Sequence, residues 1–163
     1  MHAFDLDTIE GREIVVRRAH DDEKIVTLDD KEFTLNHENL VICDGSKPAA
    51  LAGIMGGLNT EIKDSTKEVL FEAAKFARDS VRRTSRSLGQ HSDSSAIFEK
   101  GTNEYTTERA MKRALHLIEQ LGCGTVTDVC ADVATEYSDT KVKTMTVSPE
   151  KIDALLGIEV PVK

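Results

Sequence analysis

Apolar and polar positions alternate over the first 44 residues in the short runs that are typical of β-strands. The pattern predicts strands near residues 14–16 and over 24–28, 31–34 and 39–44, and a further strand over 68–74. The connections between them are short and polar, which favours antiparallel pairing of consecutive strands. We therefore expect a small closed, or nearly closed, β barrel.

Helical periodicity is clearest after residue 103. Apolar side chains recur at i, i+3, i+4, i+7 and i+10, namely Met111, Ala114, Leu115, Ile118 and Leu121. Asn103 is a candidate N-cap of this helix and Gly122 its expected end. A shorter helix is predicted from Asp79, as N-cap, to Gly89, followed by a serine-rich loop. Residues 125–137 predict one or two more strands.

The last residues differ in kind from the rest of the chain. Ser148 as N-cap, Pro149 as the first helical residue and Gly157 as the stop predict a short helix. Few residues follow it, which is typical of the opening of a further domain. The expected organisation is a mixed α/β (α+β) domain over residues 1–143, with helices flanking the barrel, and the start of another domain over 144–163.

Composition narrows the class of protein. Of the 163 residues, 39% are hydrophobic but only 4% aromatic, with no Trp, so the core must be aliphatic. The formal net charge of −8 argues against general electrostatic binding of duplex DNA. No apolar run approaches the roughly 20 residues of a membrane span. The three cysteines lack CxxC spacing, which predicts no disulfide framework or zinc site and a reducing, cytoplasmic location.

Glycines in an apolar context mark the most unusual segment. Gly53, Gly56 and Gly57 lie among Ala, Leu, Ile and Met, directly after a strand that ends at Asp44 and Gly45. Such a segment is buried where another backbone or a ligand approaches closely. Two interpretations stay open: the wall of a small-ligand cavity, or a tightly packed crossover.

Other candidate groups are few. Arg82 and Arg86 share one helix face at i, i+4, where they contact phosphates or pair with carboxylates. Glu99 is either a hydrogen-bond acceptor for a ligand or an ordinary surface charge. Adjacent residues such as His91, Ser92 and Asp93 cannot meet in triad geometry, and the five histidines show no metal-ligand spacing. We predict no metal site and assign no catalytic side chain.

Several segments occur together in an order that resembles a known family. They are HAFDLD, ALAGIMGG, EVLFEAAKF, RRTSRSLG, SDSSAIFEKG and LIEQLGCG. Over roughly residues 2–140 the chain resembles the B3/B4 editing module of bacterial phenylalanyl-tRNA synthetase β subunits. The tail from residue 147 resembles the first helix of the module that follows. The resemblance implies hydrolysis, by a positioned water, of tyrosine wrongly esterified to tRNA(Phe).

The resemblance also implies site residues and partners. Gly53, Gly56 and Gly57 match the family's glycine-rich wall, and Glu99 and Gly101 match its F-E-R-G motif. Asp44 and Gly45 lie at a turn where some members carry a histidine. The remaining implied substrate contacts are Ala131 and Asp132 on a pocket-lining strand. With a tRNA as substrate, the phosphate-contact interpretation of Arg82 and Arg86 becomes a tRNA contact.

The implied partners are the tyrosine-bearing 3′ end of tRNA(Phe), the α subunit and the other β-subunit domains of an α2β2 synthetase. No cofactor is expected in this domain, since ATP and Mg²⁺ serve the charging reaction of the parent enzyme. The chain departs from the family at Gly45, Ile97 and Lys100, and in Gly-Thr-Asn-Glu after the F-E motif. These departures leave an alternative open: a structural or tRNA-contacting module with weak or no editing.

Overall fold

The computed structural model describes residues 1–127, 130–135 and 144–161. Within these ranges the architecture is mixed α+β, as predicted. The strands are β1 (His2–Asp5), β2 (Val15–Arg18), β3 (Lys24–Val26), β4 (Glu32–Thr34), β5 (Leu40–Cys43), β6 (Pro48–Leu51), β7 (Met55–Gly56) and β8 (Val69–Glu72). The helices are α1 (Arg78–Leu88), α2 (Asp93–Phe98), α3 (Thr106–Leu121) and α4 (Pro149–Leu156).

The strands pair antiparallel in three separate sheets. Their orders are β1-β8, β2-β5-β6-β7 and β3-β4. The described residues therefore do not form the closed barrel that we expected. The largest sheet stays open because β2 pairs, among the described strands, only with β5, and because the opposite end is the two-residue strand β7. In the described part of the chain, one isolated bridge, from Thr27 to Gly57, joins the β3-β4 hairpin to it.

The core is largely aliphatic, in agreement with the composition. Among the described residues, every buried apolar side chain lies between Phe4 and Val81. Strands β5 and β6 pass through its centre, where Val41 and Ala49 are fully inaccessible to solvent. The glycine-rich segment enters this core as β6 and β7, two strands that the hydrophobic pattern did not predict.

Helix α2 occupies the stretch predicted as a serine-rich loop. The prediction was wrong because Ser92 and Ser95 form a reciprocal capping box. The backbone N–H of Ser95 donates to Ser92 Oγ at 3.1 Å, and that of Ser92 donates to Ser95 Oγ at 3.0 Å. These bonds satisfy donors that a six-residue helix would otherwise expose.

The other helix ends agree with prediction at the C-termini more than at the N-termini. Gly89 and Gly122 end α1 and α3 in the left-handed conformation, with φ of 63° and 65°. Asp79 lies in the first turn of α1 and does not cap it. Asn103 Oδ1 accepts from the N–H of Tyr105 at 2.9 Å and closes a turn before α3.

The chain divides into two compact units, residues 1–133 and 134–163. Residues 125–127 and 130–135 contain no strand, whereas the rest of the predicted strand region, 128–129 and 136–137, lies outside the described residues. The predicted boundary at 143 also lies outside them and stays a prediction.

In the second unit α4 is capped as predicted, with Ser148 Oγ accepting from the N–H of Lys151 at 3.4 Å. Its apolar side chains are exposed, Leu155 by 88%. No helix in the described part of either unit is long and apolar enough to cross a membrane.

Candidate functional site

Two segments that the sequence assigned to one site are in direct contact. Ser92 Oγ donates to the carbonyl oxygen of Ile54 at 2.6 Å, and Ser94 Oγ donates to that of Gly53 at 3.1 Å. A Cβ built on Gly53 would lie 3.3 Å from Cδ2 of Phe98. The serine-rich helix α2 is therefore fastened by hydrogen bonds to the glycine-rich segment.

Protein atoms fill the space beside the three glycines of that segment. Gly53 has a φ of +71°, and a Cβ there would lie 2.8 Å from Phe76 Cδ2. The rings of Phe76 and Phe98 meet edge to face, 5.2 Å apart. A Cβ on Gly56 would lie 2.5 Å from the His2 ring, and one on Gly57 would lie 2.6 Å from the Ala49 carbonyl oxygen. Close approach by the protein itself thus explains all three glycines, which corresponds to the packed-crossover interpretation.

Asp44 and Gly45 organise a loop. Asp44 is 2% exposed, and its carboxylate accepts backbone N–H bonds from Lys47 at 2.8 Å, Ser46 at 2.9 Å and Glu10 at 3.3 Å. Burial alone would raise the pKa of Asp44, but these hydrogen bonds outweigh it and hold the pKa below its usual value. A Cβ on Gly45 would lie 3.0 Å from the Glu10 carbonyl oxygen, so a larger residue fits only if Glu10 moves.

Open space adjoins Gly101 instead. This residue is exposed with a φ of +90°, and among the described residues, its chain neighbours apart, the atom nearest to a Cβ built there is Arg78 Cδ, at 4.0 Å. Glu99 lies two residues away, at the end of α2, and its carboxylate makes no hydrogen bond or ion pair within the described part of the chain. Thr102 follows, and its buried Oγ1 has no hydrogen-bond partner among the residues that the structure describes. Two polar groups without a partner in the described part of the chain therefore belong to residues three positions apart at this end of α2.

The remaining predicted residues are exposed, and no hydrogen bond among the described residues joins them to the end of α2. Arg82 and Arg86 lie on the outer face of α1. Ala131 and Asp132 belong to an exposed stretch without regular structure, and no hydrogen bond or ion pair among the described residues joins them to the glycine-rich segment. Among the described residues, no group of three or more His, Cys, Asp or Glu side chains could hold a metal ion.

Two surface hollows lie elsewhere in the first unit. One, of about 330 Å³, is lined by Ile25, Val26, Pro48 and Leu58 with Lys24 and Lys47 among its polar groups. The other, of about 450 Å³, is lined by residues that include His2, Leu28, Ile62 and Phe71. Neither contains a predicted site residue.

His2, which lines the second hollow, and its ladder partner Glu72 were not singled out by the sequence analysis. His2 and Glu72 are opposite each other in the β1-β8 ladder. Burial lowers the pKa of His2 and raises that of Glu72, because it disfavours the charged form of each. The signal that could have found them was present, since HAFDLD and EVLFEAAKF both belong to the family resemblance. Their pairing, however, joins residues 70 positions apart.

Comparisons with known proteins agree with the resemblance. A family model described as "B3/4 domain" matches residues 1–123. The chain is 42% identical over 161 residues to a phenylalanine–tRNA ligase β subunit of Syntrophus aciditrophicus, covering 99% of this chain and 20% of that protein. It is 44% identical over 160 residues to the corresponding protein of Geobacter sulfurreducens and 41% identical over 160 residues to that of Bacillus licheniformis, in each case over 98% of this chain and 20% of the relative. The chain spans about a fifth of the length of these curated relatives, and on the family match it belongs to the B3/4 domain family.

Proposed function

We propose that this chain is the editing module of a phenylalanyl-tRNA synthetase β subunit and hydrolyses tyrosine mis-esterified to tRNA(Phe). The observation that carries the proposal is the open space at Gly101, two residues after Glu99, whose carboxylate has no partner among the described residues, in a chain similar to β subunits over 99% of its length. A pocket that binds phenylalanine only partly rejects the extra hydroxyl of tyrosine, so a second site that binds this hydroxyl is needed for accuracy. Glu99 supplies an acceptor of the right kind.

The hydrogen bonds of nearby side chains support attack by water rather than by a protein nucleophile. The hydroxyls of Ser92, Ser94 and Ser95 all donate to backbone carbonyls, and none donates to a base within the described residues. A serine needs such a base to become nucleophilic. Burial raises the pKa of Cys43, which keeps it a thiol. Hydrolysis then depends on placing a water against the ester and on backbone donors that stabilise the oxyanion.

The proposal extends to the parent enzyme. In it the partners are the tyrosine-bearing 3′ end of tRNA(Phe), the α subunit and the other β-subunit domains of an α2β2 assembly in the cytoplasm. ATP and Mg²⁺ belong to the charging reaction of that assembly, which joins phenylalanine to tRNA(Phe), and no cofactor is assigned to this module.

A second candidate function is a structural or tRNA-contacting module with weak or no editing. The packing of Phe76 and Phe98 against Gly53 favours it, because these rings occupy space that a cavity between the two segments would need. Ile97 and Lys100, which replace arginines of the family motif, favour it as well.

Replacement of Gly101 separates the two candidates. In the synthetase that contains this chain, Gly101→Trp should abolish release of tyrosine from tRNA(Phe) while phenylalanine charging continues, because the indole fills the open space. Gly122→Trp is the matched control, since Gly122 also has a positive φ, of +65°, and open surroundings. Glu99→Ala should only reduce editing or blur the choice between tyrosine and phenylalanine. Weak or absent tyrosine release in the unmodified enzyme and in both tryptophan variants would favour the structural module, whereas normal release by Gly101→Trp would refute Gly101 as the site.

One further outcome bears on the mechanism. If Ser94→Ala, Ser95→Ala or Cys43→Ala alone removed all hydrolysis while tyrosine still bound, a covalent route would replace the positioned water.

A further inference from the structure

The exposed face of α1 carries a row of positive charge. Its sequence contains four arginines and one aspartate, a formal charge of +3 within a chain of net charge −8. Arg78, Arg82 and Arg86 follow at i, i+4 and i+8, which places them on one face of the helix over about 12 Å. We name these three residues the arginine stripe.

Most of this charge has no counter-ion within residues 1–127, 130–135 and 144–161. Arg78 pairs with the neighbouring Asp79 at 3.6 Å. The guanidinium groups of Arg82 and Arg86, and that of Arg83 beside them, make no ion pair or hydrogen bond with any residue that the structure describes, and all three side chains are exposed. An unpaired guanidinium presents a planar fork of donors that suits phosphate oxygens.

The stripe begins at the candidate site. Arg78 Cδ is the atom nearest to the open space at Gly101. One turn further along, the buried Val81 contacts the Gly53 side of the site, so the helix is held in place by its inner face. Arg82 and Arg86 then lead away from Gly101 on the outer face.

We propose that the arginine stripe binds the phosphates of the single-stranded RNA 3′ end whose terminal ester enters at Gly101. The inference rests on the proposed function and adds the path of the nucleic acid. A helix face of about 12 Å matches a few phosphates of one strand rather than a duplex, which the overall acidic charge would repel. An acidic protein surface is the competing partner, but nothing in its chemistry requires the stripe to start at Gly101.

A binding titration tests the stripe without any ester. The probe is a 12-nucleotide single-stranded RNA that ends in CCA and carries no amino acid, titrated into the 163-residue chain between 50 and 200 mM salt, with amide chemical shifts and fluorescence anisotropy as readouts. We expect saturable shifts at residues 78–86 and 99–102. Loss of two phosphate contacts in Arg82→Glu/Arg86→Glu should lower the slope of log K against log salt by about 1.4 and weaken binding about tenfold or more. Arg82→Lys/Arg86→Lys, which keeps the charge, should retain most of the affinity.

Helix α3 offers a matched control. Arg109 and Arg113 are exposed and spaced i, i+4, but three cations and two glutamates give their helix a formal charge of only +1. Arg109→Glu/Arg113→Glu makes the same change in net charge and should alter binding by less than about threefold. Circular dichroism verifies folding, and Arg82→Gln/Arg86→Gln replaces the glutamate variant if that variant unfolds.

Three results would overturn the proposal: no saturable binding of the RNA at 50 mM salt, equal losses in the two glutamate pairs, or equally tight binding of polyglutamate through the stripe. Because the probe carries no ester, this outcome is independent of editing. If the RNA binds to the arginine stripe as expected but no tyrosine is released from tRNA(Phe), only the proposed function is refuted. If tyrosine is released normally but the RNA does not bind, only the stripe proposal is refuted.

Discussion

Of helices α1 and α3, the one that contains more apolar residues is the less buried. The 16 residues of α3 carry the clearest apolar stripe in the sequence, yet none of them, all described by the structure, is buried. The 11 residues of α1 are mostly polar, yet Ser80, Val81, Thr84 and Ser85 are buried.

The difference lies in what each helix meets. Small hydroxyl side chains hold α1 in place: Arg18 donates to Ser80 Oγ at 3.0 Å, Asn39 donates to Thr84 Oγ1 at 3.4 Å, and Ser85 Oγ donates to the Gln90 carbonyl at 2.7 Å. Helix α3 has its apolar positions half-buried at most, and Leu121 at its end is 73% exposed. A periodic pattern therefore identifies a helix, whereas its burial depends on partners that the pattern does not name.

The largest expected effect comes from charging the inner face of each helix. Val81→Asp should destabilise the chain by more than about 4 kcal/mol, because Val81 is 2% exposed and an aspartate there would be buried without a partner. Leu115→Asp on α3 should cost no more than about 1 kcal/mol. Urea unfolding followed by circular dichroism measures both, and equal costs would show that the two helices are packed alike.

Two glycines sharpen the comparison: Gly53, which lies against Val81 of α1, and Gly122, which ends α3. Gly53→Ala should cost about 3 kcal/mol, since it combines an unfavourable positive φ with a Cβ only 2.8 Å from Phe76, which belongs to the same core cluster as Val81 of α1. Gly122→Ala at the end of α3 has a similar φ, and in the described part of the chain no atom beyond its own helix and adjacent residues lies within 4 Å of the new Cβ, so about 1 kcal/mol is expected. A cost at Gly122 as large as that at Gly53 would mean that strain of the backbone, not packing, dominates at both.

The connection between α2 and α3 contains a defect that can be repaired. Thr102→Val should stabilise the chain by about 1 kcal/mol, because it removes a buried hydroxyl without a partner and keeps the shape of the side chain. Thr106→Val is the control: Thr106 Oγ1 donates to the Asn103 carbonyl at 2.6 Å, so its loss should be neutral or unfavourable. Thermal unfolding compares the two, and destabilisation by Thr102→Val would show that its hydroxyl has a role in the folded state.

The smallest effect concerns Asp29, whose carboxylate accepts a hydrogen bond from Gln90, two residues after the end of α1. Asp29 accepts from Thr27 Oγ1 at 2.6 Å and from Gln90 Nε2 at 3.0 Å, and pairs with Lys31 at 2.7 Å. The hydrogen bonds from Lys31, Thr27 and Gln90, in that order, hold the pKa of Asp29 well below its ordinary 3.8. Its stabilising contribution is therefore complete above pH 3.8 and disappears as the pH falls through the lowered pKa.

Asp29→Asn should accordingly reduce stability by a constant amount between pH 7 and pH 4, and by less under more acidic conditions. Urea midpoints of the two proteins across this range measure the difference. A gap that changes between pH 7 and pH 5 would contradict the lowered pKa.

Local patterns were sufficient for elements whose signals lie within a few residues of one another. The alternating runs placed β2 to β5 and β8 correctly, and the glycine stops placed the ends of α1, α3 and α4. The same patterns misjudged α2, where the capping box is a reciprocal arrangement of two serines that reads like a loop. They also missed β1, whose partner β8 lies more than 60 residues further along the chain.

The sequence alone determined the family, the mixed α+β class and the identity of the candidate segments. Each of these depends on residue types within a few positions of one another, or on the order of motifs along the chain. Tertiary structure decided what those residues do. Whether Gly53 faces a ligand or Phe76, whether Asp44 binds substrate or closes its own loop, and whether Glu99 remains unpaired all depend on side chains brought together from distant positions. The residue types limit which groups can approach one another closely, and only the folded chain determines which atoms are in contact.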